Sequence, residues 1–261
     1  MKKTLYTLTA ATMIASALCG CKKTNSESSA NEEVMQTVAT EAEGEVATTT
    51  QATGQKPIQI SEQGSISTDY VAGQEARVSF DRFPASFDEW QVAQAQLGNS
   101  LAGTVALELM AMQLYYYDQE EGEKAIMACN TDSDGKSLIR IIGQKFKQSL
   151  AGKGDDYVQP YLVASYLEGA TPENAYHPTL PYEIVVRMHP QNKPQEGSYS
   201  FTGINYYLQI NCNGADTNWR GIEVAELKGE PYYRVFNNAS IAVGVKQIAY
   251  KSQPEDFDEL H

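Results

Sequence analysis

The chain changes its hydrophobic period near residue 180, and this change constrains the fold more than any other feature. Between residues 86 and 168 apolar residues recur at helical spacing, whereas beyond residue 180 they alternate with polar ones. The first pattern indicates helices, and the second indicates strands with one buried face. We therefore predict an α+β fold, with N-terminal helices packed on a C-terminal curved antiparallel sheet of about four or five strands.

One helical segment is apolar on most of its circumference. Residues 99–118 begin at a capping residue, Asn99 or Ser100, and continue as an apolar run that Glu108 interrupts. A helix that is apolar nearly all round is buried, so we expect this helix at the centre of the domain. A capping box at residues 86–89 starts an earlier helix. Further helices are predicted at 121–129, 136–149 and 158–167.

The alternating half of the chain predicts the strands. Tyr182, Ile184, Val186 and Met188 share one face of a first strand. A second strand covers residues 204–212, two more are predicted either side of a turn at 228–231, and a last one within 240–250. A buried helix in the concavity of such a sheet would resemble an NTF2-like or cystatin-like fold, and that analogy implies no function.

The N-terminus has the pattern of an export signal. Two lysines precede residues 5–18, which carry no charge and are too short to span a bilayer as a helix. We assign residues 1–20 to a lipoprotein signal peptide. Ordinary secretory cleavage after Ala17, at an A-x-A-like site, is the alternative.

The residues that end this signal resemble the lipobox of bacterial lipoproteins. Leu18 and Gly20 stand three residues and one residue before Cys21, as the lipobox requires. Cys19 does not fit, because the bulky Leu18 precedes it directly. Cys21 is therefore the predicted lipidation site, and two or more acyl chains would give stable membrane attachment.

A polar tract separates the signal from the folded part. No Phe, Trp or Tyr occurs between Tyr6 and Tyr70, and residues 21–57 are dominated by Thr, Ser and Glu. Such a composition cannot bury enough apolar surface to order the chain, so we expect a disordered tether. Residues 58–261 then form a single α+β domain.

The charge balance argues against nucleic acid as a partner. The chain carries 20 Lys and Arg against 33 Asp and Glu, a formal net charge of −13. This excess disfavours nucleic acid. The expected partners are the membrane, through the lipid anchor, and an unidentified protein or small-molecule ligand. We place the protein in the cell envelope, anchored to the cell membrane or the outer membrane, with its domain facing the periplasm or the exterior.

Glu108 is the candidate catalytic residue. A carboxyl buried among apolar side chains has a raised pKa and can act as a general acid. The alternative places Glu108 with Thr104 on an exposed stripe of the helix, because residues four apart are neighbours. The sequence favours the exposed stripe.

Asn130, Asp132 and Asp134 form the candidate metal site. They match the first three ligand positions of a calcium loop, but position 12, usually a bidentate Glu, is Ile141. The alternative is a polar turn that caps the next helix. No cofactor is expected.

Cys129 and Cys212 are the cysteines that remain after Cys19 and Cys21. An even count in an oxidising compartment suggests a pair. Both residues fall on the apolar face of their elements, so they either form a disulfide or stay as two buried thiols.

The segment 161–187 and the strands that follow it also carry a resemblance. "GATPEN" at 169–174 and the "NWRGIEVAELKGEPYYRVF" strands resemble an uncharacterised bacterial domain family found in secreted or lipid-anchored proteins. The resemblance extends from about residue 80 to 248 and implies no activity. We expect a lipid-anchored protein with a non-catalytic binding domain. The alternatives are a small NTF2-like enzyme with a pocket carboxylate and an envelope assembly factor.

Overall fold

The described residues form, in chain order, two strands, four α-helices and five further strands. The computed structural model describes residues 56–146, 158–197 and 202–248. The helices are α1 (Phe87–Leu97), α2 (Leu101–Tyr117), α3 (Gln119–Cys129) and α4 (Asp132–Phe146), followed by 3-10 turns at Pro160–Leu162, Ala164–Tyr166 and Pro172–Asn174. The strands are β1 (Ile60–Gly64), β2 (Glu75–Phe80), β3 (Tyr182–Met188), β4 (Gln195–Glu196), β5 (Gly203–Asn211), β6 (Trp219–Leu227) and β7 (Arg234–Asn237).

The helices begin at side-chain caps that satisfy otherwise unpaired backbone N–H groups. Ser86 accepts from the N–H of Glu89 at the start of α1, and Ser100 accepts from the N–H of Gly103 at the start of α2. The Glu89 carboxylate reaches the N–H of Ala85 rather than that of Ser86, so the predicted capping box is completed one residue earlier.

Helix α2 lies at the centre of the domain. Every residue from Leu101 to Tyr116 is buried, which confirms the buried helix that the sequence predicts. It packs against the other three helices and against strands β2, β3, β6 and β7. Gly122 allows the backbone of α3 to approach that of α2 closely, because a Cβ at this residue would lie 2.1 Å from the Cα of Tyr115.

The sheet is antiparallel and open, with strand order β1-β2-β3-β5-β6-β7 and with β4 paired to β5. Alternate residues on each strand face the helices and are buried, among them Val78, Ile184, Leu208 and Ile222. The opposite, outer face of the sheet carries mainly polar residues, such as Arg187, Gln209 and Glu223, together with the buried Val185 and Ala225.

The α+β arrangement is confirmed, and the described residues form seven strands instead of four or five. Strands β1 and β2 were not predicted. The helix predicted at 158–167 is a pair of 3-10 turns, and residues 240–248 form no strand. Instead, the Gln159 side chain bonds both the N–H and the C=O of Val245, which are groups that a strand would use for its ladder.

Candidate functional site

A cleft of about 400 Å³ lies on the outer face of the sheet. Strands β5 and β6 form its floor, the loop after β3 forms one wall, and the segment after β7 forms another. Small-molecule sites commonly have about 300–1,000 Å³, so the cleft has the size of a site for a small ligand.

Gly221 creates the space at the floor of the cleft. It lies in the middle of β6, in regular register with Gln209 of β5, and it has ordinary strand geometry. A Cβ added at this residue would meet no atom within 4 Å. Glycine weakens the interior of a strand. It often marks a bulge, a bend or a place where a ligand or another backbone approaches closely.

Glu223 supplies the carboxylate of the cleft, two residues along β6. Its Oε2 accepts a hydrogen bond of 2.5 Å from Nδ2 of Asn205, and its Oε1 accepts one of 2.9 Å from Nδ2 of Asn237. These two amides lie on the strands on either side of β6 and fix the plane of the carboxylate. Each oxygen keeps a further lone pair that can accept from a ligand.

Two other side chains of the cleft are held in the same way. Nδ1 of His189 accepts from the backbone N–H groups of Gln191 and Asn192, at 3.1 Å and 3.0 Å. The ring proton is therefore on Nε2, which is a donor. Oε1 of Gln209 accepts from Nε of Arg187 at 2.8 Å, which leaves the amide N–H groups of Gln209 as donors.

A second cleft of about 410 Å³ lies at the start of α2. Its most polar groups already bond each other, because the Ser100 hydroxyl donates to Oε1 of Glu62 at 2.6 Å and also caps the helix. Glu62 and Ser100 of this cleft therefore already have each other as partners.

Glu108 is fully buried and forms the centre of a polar cluster inside the domain. Nδ2 of Asn130 donates to its Oε2 at 2.6 Å, and Nδ2 of Asn238 donates to its Oε1 at 3.2 Å. Asn238 also donates to Oδ1 of Asn130 at 2.7 Å. The exposed-stripe interpretation is wrong, because Thr104 is buried as well.

The environment of Glu108 changes its acidity. Burial raises the pKa of this carboxyl from 4.5 to about 7, although the hydrogen bonds from Asn130 and Asn238 oppose the shift. Glu108 lines neither of the two clefts. The carboxyl therefore has the acidity of a general acid without contact with the cleft that could hold a substrate.

The buried cluster also supports the wall of the outer cleft. Asn238 follows Asn237, whose side chain holds Glu223, and the two side chains lie on opposite faces of the sheet. Ala239 and Ser240, which follow Asn238, form part of the cleft wall. The hydrogen bonds from Asn238 to Glu108 and Asn130 therefore hold the start of this wall in place.

The candidate metal ligands lie between the end of α3 and the first turn of α4. Asn130 faces Glu108, whereas Asp132 and Asp134 lie in the first turn of α4, which begins four residues before its predicted start. The Asp134 carboxylate accepts from the hydroxyls of Thr131 and Ser133 within this turn. Within residues 56–146, 158–197 and 202–248, no group of three or more His, Cys, Asp or Glu is placed to hold a metal ion.

Cys129 and Cys212 are both buried free thiols in the structure. Sγ of Cys129 lies 3.8 Å from the carbonyl oxygen of Thr104, and Sγ of Cys212 lies 3.6 Å from Oγ of Ser165. Burial, and then the neighbouring Glu108, raise the pKa of Cys129. Of the two alternatives from the sequence, the structure contains the pair of separate thiols.

Other predicted features lie outside the described residues. These are the lipidation site Cys21, the signal peptide 1–20 and all but the last residues of the tether 21–57. The part of the chain that is described contains no helix long and apolar enough to cross a membrane.

The sequence analysis missed the outer cleft. Its side chains come from the polar positions of alternating strands, which the sequence pattern assigns to solvent. The available signal was the glycine inside the strand "WRGIEVAEL", because Gly221 has no role in a turn there.

The fold and the cleft define an α+β domain that presents a polar cleft on the outer face of an open antiparallel sheet. The chain belongs to the family described as a domain of unknown function, DUF6935, whose model matches residues 82–249. The match includes Glu108 and the cleft, and it confirms the resemblance drawn from the sequence. No curated protein and no solved structure matches the chain, so the NTF2-like or cystatin-like analogy stays a prediction.

Proposed function

We propose that the chain is a non-catalytic binding protein of the cell envelope. In this proposal Cys21 carries the lipid anchor, the polar tract gives the domain reach, and the outer cleft holds a small ligand. The lipobox-like residues support the anchor, and the cleft supports the binding role.

The observation that carries the binding role is the open space above Gly221. A Cβ there would meet no atom within 4 Å, and Gly221 pairs in regular register with Gln209, so the β5–β6 pairing does not require a glycine. The polar groups around this space are fixed by hydrogen bonds to neighbouring residues. Preorganised groups bind a ligand with less loss of conformational entropy.

The enclosure of Glu108 favours binding over the alternative of a pocket enzyme. A general acid must reach the reacting group directly or through one water molecule. Glu108 is 0% exposed, and its two oxygens accept from Asn130 and Asn238. Its role in the proposal is to hold the helices and the cleft wall together.

A thermal-shift screen tests the binding role with the full chain in detergent. The intrinsic fluorescence of its two tryptophans reports unfolding as sugars, amino acids, polyamines and carboxylic acids are added one at a time. A compound that binds only the folded state raises Tm. We expect at least one compound to raise the Tm of the wild type. The same compound should leave the Tm of Gly221→Val unchanged.

Glu75→Val is the matched control for this screen. It adds the same side chain on an exposed residue of β2, outside the cleft, so the shift caused by the compound should persist. Compounds that shift Gly221→Val as much as the wild type, or a screen without any shift, would reject the cleft as the functional site.

A further inference from the structure

We infer that the outer cleft binds a neutral polyhydroxyl compound, such as a saccharide unit. The inference rests on the proposed function and names the class of its ligand. It follows from the mixture of hydrogen-bond donors and acceptors around Gly221, from the charges on this face, and from the shape of the floor.

The cleft presents donors and acceptors side by side. Glu223 offers two carboxylate oxygens, whereas His189 offers its Nε2–H and Gln209 offers amide N–H groups. A hydroxyl group both donates and accepts, so a row of hydroxyls can satisfy both kinds of group. Leaving any of them unpaired after burial by a ligand costs about 1–3 kcal/mol.

This mixture disfavours a cationic amine. An ammonium group only donates, so it would satisfy Glu223 and leave the N–H groups of His189 and Gln209 facing a donor. The guanidinium of Arg187 also lies on the same face, 3.7 Å from the centre of the Trp219 ring, and would repel a cation.

An anionic ligand is disfavoured by the carboxylate itself. The partners of Glu223 among the described residues are the amides of Asn205 and Asn237, and none of the described ion pairs includes it. No cationic side chain of the described ion pairs therefore contacts this carboxylate, which would face an anionic ligand directly. The chain as a whole carries a net charge of −13, which adds to the repulsion.

The shape of the floor suits a ring. Gly221 leaves a patch of backbone without a side chain, and Tyr207 lies diagonally from it on β5, opposite Glu223. The Tyr207 hydroxyl donates to Oε1 of Gln195 at 3.2 Å, which orients the aromatic ring. The C–H groups of a sugar ring can pack against such a surface while its hydroxyls reach the polar rim.

Calorimetric titration of the full chain tests this ligand class. The protein is kept in a detergent without a sugar headgroup and titrated with maltose, cellobiose, lactose and chitobiose, and separately with spermidine and citrate. We expect binding of at least one of the saccharides. Glu223→Gln should weaken this binding by at least about tenfold, because a hydrogen bond to a charged group contributes about 1.5–3 kcal/mol.

Two further variants make the result specific. Gly221→Val should abolish saccharide binding, because its side chain projects into the cleft from a Cβ that meets no atom within 4 Å. The variant should not lower the free energy of unfolding, because Val favours a strand more than Gly does. Glu75→Gln removes a carboxylate from the same face outside the cleft and should bind like the wild type.

The outcomes separate the ligand class from the proposed function. Spermidine or citrate binding that Gly221→Val abolishes would overturn the ligand class and support the cleft as a binding site. Saccharide binding that neither cleft variant changes would overturn the ligand class at this site. The absence of heat with all four saccharides would also overturn it, while the compound screen still decides whether the cleft binds anything.

Discussion

Replacing Glu108 with Gln should change how stability depends on pH. In the folded chain the pKa of Glu108 is about 7, compared with 4.5 for an unburied carboxyl. Below pH 4.5 the group is protonated in both states and adds no penalty. As pH rises towards 7, the unfolded state releases the proton while the folded state keeps it, so the folded state loses stability.

The expected size of this effect follows from the two pKa values. One pH unit corresponds to about 1.4 kcal/mol per proton, so the interval from 4.5 to about 7 gives about 3 kcal/mol. Between pH 5 and pH 8 about 2.5 kcal/mol of this should appear in the wild type. Glu108→Gln cannot ionise, so this contribution is absent from the variant.

Urea unfolding of the full chain at several pH values between 5 and 8 measures the difference. The free energy of unfolding of the wild type should fall relative to that of Glu108→Gln by about 2.5 kcal/mol as pH rises. The difference between the two proteins cancels the other titrating groups. Among these, Glu89 has a pKa lowered by Arg82 and acts in the opposite direction.

Glu123→Gln provides the matched control, because Glu123 is an exposed carboxylate on α3. Its stability should follow that of the wild type across the pH range. Parallel curves for the wild type and Glu108→Gln would refute the reasoning, since they would mean that Glu108 has the same acidity in the folded and unfolded states.

Three further predictions concern other parts of the chain. Cys21→Ser should abolish labelling with a radioactive fatty acid in cells, whereas label that persists in it, or disappears in Cys19→Ser, would refute the lipobox assignment. After denaturation without reductant, Cys129 and Cys212 should each react with a thiol reagent, and mass spectrometry showing them joined would contradict the separate thiols. Gly122→Ala should lower the free energy of unfolding by more than about 2 kcal/mol in urea denaturation, because the added Cβ would overlap the backbone of α2. A gain in stability of about 1 kcal/mol, as expected for a helix surface without close neighbours, would contradict this close approach.

Local patterns in the sequence predicted the parts of the fold that depend on neighbouring residues. Helix α2 was predicted because its apolar circumference and its cap are both local signals. Strands β1 and β2 were missed because they are short and β1 is largely exposed, and because β2 pairs with β3 about a hundred residues later. Distant pairing of this kind leaves little trace in a local pattern.

The candidate site depended still more on distant contacts. Glu108 stands out in the sequence, but its hydrogen-bond partner Asn238 lies 130 residues away along the chain. The outer cleft combines β5, β6 and two loops, and its polar residues look like ordinary solvent-facing positions of a strand. Gly221 was the local sign of the cleft, and its meaning required the geometry of the neighbouring strands.

The central claim is that the ligand site is the cleft above Gly221, and chemical-shift mapping tests it most directly. The uniformly ¹⁵N-labelled full chain is titrated with the saccharide that binds most tightly, and the backbone amide signals are followed. The largest changes in amide chemical shift should occur at Gly221, Glu223 and His189, and Gly221→Val should remove these changes. Shifts centred on the other cleft around Ser100, or unchanged signals at Gly221 and Glu223, would contradict the account.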